Sequence, residues 1–351
     1  MFSQLHEMVL RADRPTDEST LRRLAALDSA RPIKGRALVA EVDGRAVAAA
    51  APLASSLRVW AALGAIYLIW GSTYLAIRVM VETIPALLGA GARFVLAGTL
   101  MLGLLALRGG ARRVLLDRSM LLRVAVVGTL LAAGGNGLVT VAEKDVPSGL
   151  AALIIASMPL WIVVIRSLFS DRPSPVTLAS VALGFAGVAL LLLPGNRPDG
   201  VALGPTLILV VAAISWASGS FVSQRVTMPA DPLVSTAWQM LSGGLVLTVA
   251  AAPAGEFGNL DVSSFSADSL WGLAFLIVIG SLVAYSAYSW LLQNAPISQV
   301  ATYAYVNPMV AVVLGWLILD EHIPPIMLVA SAVIVVAVAA IVRNEARGRQ
   351  P

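Results

Sequence analysis

Ten apolar blocks of about 20 residues follow one another from Trp60 to Val342, divided by short loops rich in Pro, Gly and charge. A helix rising ~1.5 Å per residue needs about that length to cross the ~30 Å hydrocarbon core of a bilayer. No water solvates the backbone there, so a crossing segment must satisfy its own hydrogen bonds, and continuous blocks of this length specify helix. Only 13% of residues are charged and 58% are hydrophobic, far from the roughly quarter-charged mix of a soluble domain. The chain is expected to be an all-α membrane protein with about ten transmembrane helices. The spans fall near 58–80, 86–107, 121–142, 148–169, 175–193, 203–222, 233–252, 270–292, 297–319 and 324–342. The tightest divisions are at Pro147, Pro175 and Pro296, where a helix breaker does most of the work.

Residues 1–56 form a different kind of segment, polar and without a run long enough to span. Glu7, Asp13, Asp17 and Glu18 and the missing apolar core exclude a signal peptide. Residues 17–27 read as a helix, and 37–47 as two short strands around Asp43-Gly44. A helix and one hairpin cannot bury a stable core alone.

Several chemistries are excluded at the outset. There is no cysteine, only His6 and His322 are present, and neither Lys34 nor Lys144 lies in a Gly-rich phosphate loop. A metal site, a cofactor and ATP-driven pumping by this chain are therefore not expected, and neither is an enzyme. The net charge of +4 does not mark a nucleic-acid partner, because the arginines lie at the ends of apolar blocks. Arg108, Arg112, Arg113, Arg118 and Arg123 follow the second span, Arg172 the fourth, Arg225 the sixth, and Arg343, Arg347 and Arg349 the tenth. Alternating spans put all of them at one end. The other end holds mostly acid: Glu143 and Asp145 around Lys144, then Glu256, Asp261, Asp268, Asp320 and Glu321. The positive-inside rule then predicts cytoplasmic termini in a bacterial inner membrane.

The spans also repeat. Pro147, Pro159, Asp171 and Pro175 recur 149 residues later as Pro296, Pro308, Asp320 and Pro324. Trp70, Ser72 and Gly98 recur 146 residues later as Trp216, Ser218 and Gly244. Duplication explains a shared offset at matching places in the span order. With five spans per half, an odd number, the second copy enters the membrane upside down. Residues 57–194 and 203–342 are thus read as two inverted five-helix repeats, with 343–351 as a basic cytoplasmic tail. Inverted repeats are the usual architecture of alternating access in secondary transporters.

Four motifs point to a family: Tyr67-Leu-Ile-Trp-Gly-Ser-Thr-Tyr, Ala92-Arg-Phe-Val-Leu-Ala-Gly, the run from Asn136 to Leu153, and Tyr305-Val-Asn-Pro followed by Leu319-Asp-Glu-His-Ile. From about Trp60 to Val342 the chain resembles the drug/metabolite transporter superfamily, specifically its EamA-type exporters. The resemblance implies ten helices around a central cavity and export of amino acids or other small metabolites. The family often ends its fourth and ninth spans with an acidic signature, whereas here Asp171-Arg172 stands opposite Asp320-Glu321. The N-terminal run Leu38 to Arg45 resembles the opening of a GNAT-type acetyltransferase over about forty residues, but the acetyl-CoA pyrophosphate loop is absent. That segment is expected to be a fused remnant, or the result of a mistaken start site, without a catalytic role.

The residues that could line a substrate cavity are the polar and aromatic ones placed within spans. Arg93 lies about seven residues into the second span, roughly 10 Å along the helix. It either snorkels to the interface or faces the cavity and holds an anionic group such as a carboxylate at two points. Trp70 and Trp216 occupy matched positions with Ser72, Tyr74 and Ser218 nearby, and serve either helix packing or the cavity. Asn136, among Gly134, Gly135 and Gly137, reads equally as cavity residue or interhelical glue. Gln239, Tyr285, Tyr288, Tyr303, Tyr305 and Asn307 give the second half a polar, aromatic inner face. Pro159 and Pro308 are hinge candidates at matched mid-span positions. The charges at Glu143, Lys144 and Asp145, and those at Asp320, Glu321 and His322, read as solvated loops.

The leading function is therefore a secondary transporter exporting amino-acid-like or other small metabolites. Uptake is the nearest alternative. A non-transporting sensor or scaffold leaves the duplication unexplained, and a membrane transferase lacks a catalytic pair. The expected partners are a small-molecule substrate and the lipid bilayer; the coupling ion, a proton among the candidates, and the oligomeric state are not written in the sequence.

Overall fold

The structure, a computed structural model, describes residues 8–12, 19–20, 38–42, 45–50, 56–169, 173–193, 198, 200–258, 260–295, 297–300 and 302–347. Asp43-Gly44, Asp171, Arg172, Pro296, Arg349 and most of the helix expected at 17–27 lie outside these, with Ser19 and Thr20 helical. The chain divides into two compact units, Met1–Val59 and Trp60–Pro351.

In the first unit, β1 (Met8–Ala12), β2 (Leu38–Val42) and β3 (Arg45–Ala50) form an antiparallel sheet in that order. β2 and β3 are the expected hairpin, paired from Leu38↔Ala50 to Val42↔Arg45 with an irregularity between Ala40 and Glu41. β1 adds a third strand, pairing Met8↔Val42 through Ala12↔Leu38. Its partner is some 30 residues away, so a reading confined to neighbouring residues does not find it.

The second unit is helical. Its spans are α1 (Ser56–Met80), α2 (Ala86–Gly109), α3 (Arg118–Ala142), α4 (Ser148–Phe169), α5 (Pro175–Leu192), α6 (Leu203–Ser223), α7 (Pro232–Ala250), α8 (Ala267–Leu292), α9 (Tyr303–Leu319) and α10 (Pro325–Arg347). Among the described residues nine helices are long and apolar enough to cross a membrane, and α9 is a shorter apolar helix preceded by a helical turn at Ile297–Val300. Starts follow local chemistry. Ser174 Oγ accepts from Thr177 N and Asp231 from Leu233 N, each just ahead of a proline in the first helical turn.

The helix ladder is interrupted inside the bundle. α3 carries a π-helical segment at Thr129–Gly137, and α8 carries one at Leu276–Val283. These are the third helices of the two halves, so the distortion is duplicated along with the fold. α4 breaks at Ala156 and Ser157, between Ser148–Ile155 and Met158–Phe169.

The halves meet through equivalent helices: α2 packs on α7, α5 on α10, and α4 on α9. A Cβ on Gly98 would stand 2.7 Å from Leu241 N, and one on its repeat mate Gly244 would stand 2.7 Å from Val95 N. Each glycine thus lets the other half's backbone approach, and the contact is nearly self-complementary, as a pseudo-two-fold axis requires. At the arginine-rich end Arg113 bridges the halves by donating Nη2 (2.6 Å) and Nε (3.0 Å) to Asp231 Oδ2. Partial burial works against that carboxylate's charge, yet the hydrogen bonds from Arg113 and Leu233 hold it below the ordinary Asp range.

Gly244→Val should separate α2 from α7 and lower stability by about 1–3 kcal/mol, as overpacking does. The check is the thermal midpoint of the detergent-solubilised protein, with Gly64→Val, at a site open within 4 Å, as the control expected to show little change.

Candidate functional site

Between the two halves lies a cavity of about 90 Å³. Its walls include Trp70, Thr73, Tyr74 and Ile77 of α1, Arg93 of α2, Asn136 and Val139 of α3, Ala152, Ile155, Ala156, Met158 and Pro159 of α4, Trp216 of α6, Tyr285 of α8, and Tyr303, Ala304, Asn307 and Pro308 of α9. The lining toward the acidic end, namely Ile77, Arg93, Val139 and Ala152, is buried. Trp70, Met158, Trp216, Tyr285, Tyr303 and Ala304, at mid-depth or toward the arginine-rich end, are partly exposed. Tyr74, on the acidic side of Trp70, is likewise partly exposed, and Ile155, Ala156 and Asn307 are buried. An engineered cavity of about 150 Å³ takes benzene, so a ring-sized cargo must widen this one.

Arg93 does not snorkel. It is 3% exposed, donates Nε to Ser281 Oγ of α8 at 3.2 Å, and stands 4.7 Å above the Phe94 ring. Its Nη1 has no hydrogen-bond partner among the described residues. A buried guanidinium donor left unmatched in a cavity wall is complementary to an acceptor, and two-point geometry suits a carboxylate.

Trp70 donates its indole N–H to Gly280 O at 3.3 Å and packs against the rings of Tyr285, Tyr288 and Tyr303 at 5.2–5.3 Å between centroids. Tyr288 sits behind this layer, 5.8 Å from Tyr303, and supports the wall without lining it. Trp216 lines the cavity while its ring covers Gly135, where a Cβ would approach to 2.7 Å. The glycines beside Asn136 thus make the close helix contact, and Asn136 itself faces the cavity. Its Nδ2 reaches Leu131 O at 3.4 Å within the π segment. Asn307 Oδ1 is buried without a partner.

Pro159 and Pro308 both line the cavity. Each lacks the N–H that would bond the carbonyl four residues earlier, at Ile155 and Ala304 respectively, and both of those residues line the cavity as well. Pro159 directly follows the break in α4, whereas Pro308 lies inside α9.

Besides Tyr288 and Tyr305, three expected cavity residues are not part of it. Ser72 Oγ donates to Ile69 O at 2.9 Å, Ser218 Oγ to Ile214 O at 2.8 Å, and Gln239 Nε2 to Ser235 Oγ at 2.9 Å. Short side chains in a bilayer helix bond back to their own turn when no other partner is close. Glu143 is a correction in the other direction: it is 0% exposed, unlike its exposed neighbours Lys144 and Asp145, and neither carboxylate oxygen has a hydrogen-bond partner among the described residues. It lies in electrostatic reach of Arg78, Arg93 and Glu321. Thr73, Ile77, Val139 and Ala304 escaped the sequence reading although they stand one helical turn from Trp70, Tyr74, Asn136 and Asn307 respectively, a spacing that could have found them.

The model of the EamA-like transporter family matches residues 58–193 and again 204–343. The chain is 41% identical over 285 residues to an uncharacterized inner membrane transporter of Escherichia coli K12, YedA, covering 80% of this chain and 90% of that one. It is 23% identical over 281 residues to a probable amino-acid metabolite efflux pump of the same organism, covering 77% and 89%. A solved crystal structure aligns with a TM-score of 0.58 at 18% identity, covering 84% of this chain and 100% of the other, which shows the shared fold.

Ser281→Ala should remove the acceptor of Arg93 Nε and lower stability by about 1–3 kcal/mol, the cost of a buried donor left unpaired. In an Arg93→Met background the same change should cost little. Thermal unfolding of the four proteins gives this coupling directly.

Proposed function

The chain belongs to the EamA-like transporter family, and from that premise we propose that it exports amino-acid-like or other small metabolites by alternating access of its two halves. One observation carries the reading: the unmatched Nη1 of Arg93 in the cavity wall. A charge kept in a span with a donor unmatched is costly even with Glu143 in electrostatic reach, and such residues mark substrate pathways. A substrate carboxylate on Arg93 supplies the acceptor that the protein lacks. The rings of Trp70, Tyr285 and Tyr303 offer the rest of a small molecule apolar and cation-binding faces.

The direction rests on two further points. Ile77, Arg93, Val139 and Ala152 toward the acidic end are buried while Tyr303 and Ala304 toward the arginine-rich end are partly exposed, and the positive-inside rule assigns the latter end to the cytoplasm. A cavity loading from the cytoplasm suits export, in keeping with the efflux pump among its relatives. The 1–56 segment is assigned no part in transport.

The primary experiment compares metabolites inside and outside cells that overproduce the protein with those of cells lacking it. Overproduction should raise extracellular levels of one carboxylate-bearing class; accumulation inside the cells instead would reverse the direction. Arg93→Lys and Arg93→Gln should both insert normally and lose export, since an ammonium keeps the charge without the planar fork. Normal export by the Gln variant would remove Arg93 from the site.

Two simpler measurements test the arrangement. Topology reporters should place residues 108–118 in the cytoplasm and 255–268 outside. Deletion of residues 1–50 should leave insertion and export unchanged.

A further inference from the structure

At the acidic end charged side chains meet helix ends in three places: Glu256 accepts from Leu87 N (3.1 Å) and Leu88 N (2.9 Å) at the start of α2, and two other contacts join α1 and α9 to α3 and α4. Arg78, in the last turn of α1, donates from Nη1 to Glu143 O (2.5 Å) and Lys144 O (2.6 Å), the carbonyls that end α3. Glu321, just after α9, accepts from Ser148 N (2.7 Å, Oε1) and Gly149 N (3.0 Å, Oε2), the amides that begin α4. Each charge meets the helix end of opposite polarity, a cation at a C-terminus and an anion at an N-terminus. Together they tie α1 and α9 to α3 and α4 at one end of the cavity.

The backbone is shaped around this closure. A Cβ on Gly315 of α9 would collide with the Glu321 carboxylate and lie 2.8 Å from Ser148 Oγ, and one on Gly149 would stand 3.2 Å from Val312 Cα. The seat of Glu321 therefore needs glycine at 315, and the approach of α4 to α9 is tight at Gly149.

Duplication would place a mirror-image closure at the arginine-rich end, but the sequence there does not supply it. At the repeat offsets, Arg78 corresponds to Gln224, Glu321 to Arg172, Gly315 to Arg166 and Gly149 to Ser298. The carboxylate is replaced by an arginine, which a helix N-terminus repels, and both glycines are replaced by residues with side chains.

Resting on the transport reading above, we propose that Arg78 and Glu321 are the gate of the transport cycle, holding the acidic end shut until cargo is bound, and that the other end, where Arg113–Asp231 joins the halves outside the cavity wall, has no gate at the equivalent positions. An empty carrier then rests with its cavity open to the arginine-rich end and does not leak across the membrane. Cargo binding must favour the swapped conformation strongly enough to offset the loss of four charge-assisted hydrogen bonds.

The absence of cysteine makes the test direct. Ala152→Cys reports on the acidic part of the cavity and Ala304→Cys on the other part, each labelled by a membrane-impermeant thiol reagent at the nearer face of sealed vesicles of known sidedness. No cargo is needed, so failure of this gate and failure of the substrate reading are separable. In Arg78→Gln, Glu321→Gln and the double variant, labelling at position 152 should rise, by about ten-fold in the double variant, while labelling at 304 falls. No change at either position would overturn the proposal. So would a rise at both, because the two residues would then be holding the fold together and not one end shut.

Discussion

Inside a bilayer a helix must bond its own backbone, and the places where this chain interrupts that ladder border its cavity. The π segment of α3 contains Asn136, and that of α8 contains Gly280 and Ser281, which receive Trp70 and Arg93. Pro159 and Pro308 remove two further backbone bonds at the cavity wall. Irregular backbone at membrane depth is tolerated only where protein or water covers it. The interruptions and the cavity therefore require each other: freed polar groups need a wet or polar neighbour, and a cargo site needs polar groups that regular helices have already consumed.

Much of the fold was legible because hydrocarbon thickness fixes the length of a crossing. The spans read from sequence agree with the helices to within a few residues, apart from the ninth, where an apolar block from 297 divides into the turn Ile297–Val300 and the helix Tyr303–Leu319. The π segments were not legible. Thr-Leu-Leu-Ala-Ala-Gly-Gly-Asn-Gly in one half and Leu-Ile-Val-Ile-Gly-Ser-Leu-Val in the other share no pattern, since a π turn arises from packing and not from composition.

The site was legible where a residue is too polar or too large to face lipid without cause, as with Arg93, Trp70, Tyr285 and Asn307. It was not legible for Ser72, Ser218 and Gln239, whose hydrogen bonds close locally. Glu143 and Glu321 failed as readings for one reason. Charged residues between spans look solvated in sequence, and only the docking of α1 and the end of α9 upon them makes one a buried group and the other a helix cap.

The halves share a fold without sharing chemistry, and this decides how they can exchange roles. Arg93 and its repeat mate Gln239 occupy equivalent positions, yet one lines the cavity and the other bonds within its own helix. In the first half Gly134 and Gly135 of α3 let Ser215 and Trp216 of α6 approach closely. The corresponding residues of α8 are Val283 and Ala284; α1 approaches that helix at Gly272 and Gly280, and beside Val283 and Ala284 it meets it through the rings of Trp70, Tyr285 and Tyr288. A true mirror image of this conformation would bring α1 as near to α8 as α6 is to α3, which the side chains at 283 and 284 obstruct. In the proposed cycle the swapped state would therefore close on the aromatic cluster itself. A cargo lying among those rings, as proposed, would fill the space around them, so occupancy of the site and closure of that end would favour one another.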